Sequence, residues 1–150
     1  MAEFFEFERE FTESLHCIPM VVRFKLDTCG IKLKLDHWNH FDRAERVTLV
    51  ELPCQTPEEV QRYRDRLQAM VVAQTGSPAK DLPIDAQPPW FDGETIPATT
   101  AEKAQAAGIT LTVEQWQTLL PLQRFALIKL SRPSHESKNF LPALQEFKLV

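Results

Sequence analysis

An internal repeat constrains this chain more than any other feature. At an offset of 78, residues 18 to 52 align with residues 96 to 130, and ten of the 35 positions are identical. They are Ile18 with Ile96, Pro19 with Pro97, Lys25 with Lys103, Gly30 with Gly108, Ile31 with Ile109, Leu33 with Leu111, Trp38 with Trp116, Arg46 with Arg124, Leu49 with Leu127 and Leu52 with Leu130. Average residue usage would give about two. Val50 with Ile128, Leu35 with Val113 and Phe41 with Leu119 extend the match without changing chemistry. The reading is one domain over residues 1 to 150, built from two pseudo-symmetric, duplicated halves.

Each part of the shared string has a mechanical meaning. Pro19 and Pro97 suit the first turn of a helix, where a missing N–H costs nothing, and Gly30 and Gly108 suit a helix end that needs positive φ. The G-I-x-L segment then turns the chain into the next helix. Thr112 with Gln115 forms a capping-box pattern one turn before Trp116, and Trp38 holds the same place with a poorer cap. Both tryptophans read as core anchors. The clearest helix follows the first copy: Thr56 caps it, Pro57 opens it, Glu59 closes the box, Val60, Tyr63, Leu67, Met70 and Val71 recur at helical spacing, and Gly76 ends it. Arg62, Arg64 and Arg66 with Asp65 and Glu58 form its expected solvated face.

After the second copy, Ser134 is placed to cap a matching helix through Phe140, Leu141, Leu144 and Phe147, bent or broken at Pro142. Phe4, Phe7, Phe11 and Leu15 predict a further helix at the N-terminus. Four glycines against eleven prolines leave little material for tight-turned strands. The expected fold is all-α, with about seven or eight helices.

Residues 76 to 99 join the two copies and hold Pro78, Pro83, Pro88, Pro89 and Pro97. Proline rigidity forbids a regular helix there, and a connection this long tends to be functional or to pack as an arm. The stretch between Lys80 and Lys103 is also acidic, with Asp81, Asp85, Asp92, Glu94 and Glu102 and no basic residue. Trp90 and Phe91 lie in its middle. They either staple the loop to the domain or form an exposed docking patch; on the second reading Trp90, Phe91, Asp85, Asp92 and Glu94 bind a partner.

Charge and motif content exclude several classes. Of a formal charge of −4, the first fifteen residues carry all, so the remaining body is neutral and lacks the basic footprint of a nucleic-acid binder. No apolar run approaches the length of a membrane span, and the acidic N-terminus is unlike a basic secretory leader, which points to the cytoplasm. Three cysteines, Cys17, Cys29 and Cys54, give no disulfide framework there. With His16, His37 and His40 they could ligate zinc, yet no C-x-x-C occurs, and Cys29 aligns with Ala107, where a small buried residue is expected to suffice. No phosphate-cradling or nucleophile motif is present, so no catalytic, cofactor or small-molecule site is assigned and the chain reads as a binding protein rather than an enzyme.

Residues 5 to 38, FEFEREFTESLHCIPMVVRFKLDTCGIKLKLDHW, resemble a cyanobacterial family described as nitrate reductase-associated proteins. The resemblance is most specific in LHCIPM, residues 15 to 20, and RFKLDTCGIKL, residues 23 to 33. It implies a small single-domain accessory protein needed for active assimilatory nitrate reductase, a ferredoxin-dependent enzyme with a molybdenum dinucleotide cofactor and an iron–sulfur cluster. The family supplies no catalytic residues. Two functions then stand open: a maturation factor or subunit docked on the reductase polypeptide through residues 81 to 102, or a metallochaperone or enzyme of molybdenum-cofactor or cluster supply that uses Cys17, Cys29 and Cys54.

Overall fold

The computed structural model describes residues 4–9, 17–134 and 136–150. Among them are eight α-helices: α1 Met20–Cys29, α2 Leu35–His40, α3 Arg43–Glu51, α4 Pro57–Thr75, α5 Ala98–Ala106, α6 Val113–Gln117, α7 Pro121–Leu130 and α8 Phe140–Glu146. Three 3-10 turns lie at Glu6–Glu8, Pro89–Phe91 and Ser137–Asn139. The described residues divide into two compact units, one of Phe4 with residues 8–9 and 17–85, the other of residues 5–7 with residues 86–134 and 136–150. Of the expected N-terminal helix, Phe11 and Leu15 lie outside the described residues, and Glu6–Glu8 is a 3-10 turn.

In the first unit, α1 to α4 surround a core of Val22, Leu26, Trp38, Leu49, Tyr63, Leu67 and Val71. Pro19 stands one residue outside α1, as its N-cap, so its carbonyl accepts the Val22 and Arg23 N–H groups at 3.0 Å each. Proline offers no capping side chain, and the buried Glu8 supplies one from a distance, its Oε2 accepting the Met20 N–H at 3.1 Å. Gly30 ends α1 at φ 77° and donates to Leu26 O. The next residues form a ladder missed in the sequence: β1, Ile31–Lys32, pairs antiparallel with β2, Lys80–Asp81, Ile31 opposite Asp81 and Lys32 opposite Lys80. Two-residue strands are too short to show a period.

α4 follows its expected signals throughout. The Thr56 hydroxyl accepts the Glu59 N–H at 3.2 Å, Glu59 Oε1 accepts the Thr56 N–H at 3.0 Å, and Gly76 at φ 84° stops the helix. One residue departs from the solvated face. Arg64 is half-buried and its Nη1 donates to Cys29 O and Gly30 O at 3.0 Å each while Nη2 meets Asp81, so it clamps the end of α1 to the ladder. At 3.6 residues per turn it leans inward beside Tyr63 and Leu67.

In the second unit, Pro97 again stands as the N-cap, and α5 ends at Gly108 with φ 80°, where Gly108 N–H donates to Gln105 O and Ile109 N–H to Ala104 O, both at 2.9 Å. This is the Schellman arrangement. The Thr112 and Gln115 box forms as expected, and Trp116 is buried behind it, as Trp38 is behind α2. Helices α1, α2 and α3 begin at residues 20, 35 and 43, and α5, α6 and α7 begin 78 residues later in each case, at 98, 113 and 121. Two details differ. Cys29 is buried whereas Ala107 is exposed, so the expected shared small buried residue is present in one unit only. The nineteen-residue α4 is followed at this offset by the seven-residue α8, entered through a 3-10 turn rather than a Ser134 cap. Pro142 neither bends nor breaks α8: it occupies the third helical position, the last at which a missing N–H has no intrahelical acceptor, and so limits how early the helix can begin.

Candidate docking site

The second unit holds its proline-rich arm by buried contacts. Trp90 packs edge-on to Phe125, ring centroids 5.0 Å apart at 84°, and only 7% of its surface is exposed. Trp90 is therefore a staple and not a surface anchor, which corrects half of the expected aromatic patch: an indole this large is most favourably buried against another ring. Phe91 next to it is 57% exposed. Asp92, Glu94 and, in the first unit, Asp85 are exposed as well. Trp116 Nε1 donates to Asp92 O at 2.9 Å, and Asp92 Oδ1 accepts the Glu94 N–H at 2.8 Å.

Arg124 was legible only as a repeated residue, yet it organises this region. Its side chain is buried and gives Nε to Trp116 O at 3.0 Å, Nη1 to Trp90 O at 3.2 Å and Nη2 to Gln117 O at 3.3 Å. The guanidinium thus adds donors to the carbonyls at the end of α6, where the helix dipole favours a cation, and fastens the arm to them. Gly93 lets it do so, because a Cβ there would lie 3.0 Å from Nη2. In the first unit Arg46 treats α2 the same way, donating Nε to Trp38 O and Nη2 to Asn39 O at 3.1 Å each. The signal available in the sequence was the pairing of Trp38…Arg46 with Trp116…Arg124.

The thiol and imidazole set gives no converging centre: among the described residues no three His, Cys, Asp or Glu side chains are grouped to hold a metal ion. His16 lies outside the described residues. His37 Nδ1 accepts the Lys34 N–H at 3.2 Å, and His40 Nδ1 lies 2.7 Å from Asp36 O, so both rings are engaged by their own helix. Burial pushes the Cys29 thiol up to about 11 and the Cys54 thiol up to about 12, which keeps both protonated at neutral pH and makes them poor nucleophiles. Lys25 lies between these elements with Nζ donating to Val50 O and Leu52 O at 2.7 Å each, a cap for the end of α3. Burial lowers its affinity for a proton.

The fold and this arm define a mostly helical protein whose conspicuous surface feature is a fixed, acidic, partly aromatic segment. The model of the conserved nitrate reductase-associated protein family matches residues 4–147, and the chain belongs to that family. No curated protein and no solved structure matches it. Among the described residues no helix is long and apolar enough to cross a membrane.

Proposed function

We propose that the protein binds the catalytic polypeptide of nitrate reductase in the cytoplasm and supports its maturation or activity, with no catalysis, cofactor or nucleic acid of its own. The observation that carries this reading is the family match over nearly the whole chain. The burial of Cys29 and Cys54 in the first unit's core supports it over metal or cluster supply. The acidic arm, with Phe91, Asp92 and Glu94 on its surface, is the segment offered for docking. The test is capture of the reductase by the tagged full chain from cells assimilating nitrate, with reductase activity compared in cells lacking the protein. Stoichiometric capture with activity lost in its absence is expected. Unchanged activity together with no capture would sink the reading.

We propose further that the two units are copies of one ancestral unit. The shared helix starts and the matching arginine caps support this. If so, Arg46→Ala and Arg124→Ala each loosen the short helix whose carbonyls they hold, seen as faster amide exchange in α2 and α6 respectively; indifference of α2 to Arg46→Ala would count against a shared device.

A further inference from the structure

Leu120 stands 78 residues after Asp42, and each immediately precedes a helix. Asp42 is a full cap: its Oδ1 accepts the Glu45 N–H at 2.8 Å, and Glu45 Oε1 accepts the Asp42 N–H at 2.9 Å. At Leu120 only the second half survives, with the Leu120 N–H donating to Gln123 Oε1 at 2.8 Å. Leucine has no acceptor and ranks among the poor N-cap residues. Its side chain is also mostly in water, Leu120 being 63% exposed while Leu119 beside it is buried. Leu120 therefore lacks the side-chain cap that Asp42 provides and presents an apolar side chain to water, as Phe91 does on the arm.

We propose that Leu120 and Phe91 are the apolar anchors of one docking surface on the second unit, and that its occupant is a segment of the nitrate reductase polypeptide carrying lysine or arginine beside an apolar side chain. This rests on the reading that the protein binds the reductase. Arg124 ties the two stretches together: its guanidinium donates to Trp90 O, one residue before Phe91, and to Gln117 O, three residues before Leu120. The anchors are therefore held on a fixed frame, and binding loses little conformational freedom. Charge selects the occupant. Residues 86 to 124 carry Asp92, Glu94, Glu102 and Glu114 against two cations, Lys103, whose Nζ lies 5.7 Å from the Phe140 ring centroid, and Arg124, whose guanidinium is buried on backbone carbonyls. A basic segment is attracted to this surface, whereas a second copy of the chain would set carboxylates against carboxylates.

Leu120→Asp tests the proposal cleanly because it restores the cap that Asp42 shows to work, so the variant folds at least as stably as the parent. Its affinity for the purified reductase polypeptide should fall about 30-fold or more, the size of an interface hot spot, and Phe91→Ser should act likewise. The exposed Val72→Lys in α4 serves as a control and should bind normally. Association of the parent should slow as salt rises, and Asp92→Asn with Glu94→Gln should blunt that dependence. Full affinity in both folded anchor variants would overturn this surface while leaving reductase binding intact. Failure of the parent to bind would overturn both, and a dimer of the parent dissolved by Leu120→Asp would show that the occupant is another copy.

Discussion

Arg124 shows how one side chain sets local architecture. Nearly all of its surface is buried, and among the described residues its partners are carbonyl oxygens of three residues rather than a carboxylate. Removing it takes a donor from each of these carbonyls, of which Trp116 O keeps the Leu119 N–H, and leaves a cavity, so Arg124→Ala should cost about 2–3 kcal/mol in chemical denaturation. Arg124→Lys should recover only part, since an ammonium cannot span a fork of three carbonyls. Arg46, more exposed, should cost less. Gly30 and Gly108 make a second comparison at this scale. Both have positive φ, as their position after a helical run foretold, but a Cβ on Gly30 would lie 2.8 Å from Ile84 Cδ1 and 3.0 Å from Leu82 O, whereas a Cβ on Gly108 meets nothing within 4 Å. Gly108→Ala should therefore cost about 1 kcal/mol from conformation alone. Gly30→Ala should cost clearly more, measured by the same unfolding assay.

At the scale of elements, what could be read in advance was whatever rests on neighbours in sequence. The Thr56, Pro57 and Glu59 start of α4, its Gly76 stop, and the Thr112 and Gln115 box are local hydrogen-bond problems with local solutions, and all three were legible. Thr56→Ala should destabilise the protein by about 1 kcal/mol in thermal or urea unfolding. The Glu59 carboxylate, held below its usual range mainly by the Thr56 N–H and then by that of Gln55, adds stability that is present above about pH 4.5 and fades below it as the carboxylate takes up a proton. Features made by distant residues were not legible: the Glu8 cap on α1, the pairing of Ile31–Lys32 with Lys80–Asp81, and the inward turn of Arg64 all depend on chain folded back from elsewhere. The candidate site was half legible for the same reason. Exposure of Asp92 and Glu94 follows from their charge, but whether Trp90 or Phe91 faces inward is decided by Phe125 and Arg124, more than thirty residues away.

For the molecule as a whole, the two units differ in how they should meet alkali. Cys29, Cys54, Tyr63 and Lys25 all belong to the first unit, and burial is the leading cause of each shift. The folded state keeps Cys29 and Cys54 protonated up to about 11 and about 12, against an ordinary 9.0, and holds the Tyr63 phenol well above its usual 10.0. Stability from these groups is intact below pH 9 and is lost as pH climbs toward 12, because the unfolded chain releases protons that the folded one retains. Lys25, lowered from 10.5, works in the opposite direction over part of that range, yet it is one group against three. The methyl signals of Val22, Leu67 and Val71 should therefore collapse at lower pH than those of Ala126, Leu127 and Ala143, which are equally buried in the second unit. Substituting Cys29→Ala and Cys54→Ala should move the first transition to higher pH. At neutral pH the same burial should confine rapid iodoacetamide labelling to the half-buried Cys17 until the chain is unfolded. Simultaneous loss of both sets of methyl signals, or rapid labelling of all three cysteines in the native protein, would show that the thiols are not sealed in the first unit's core.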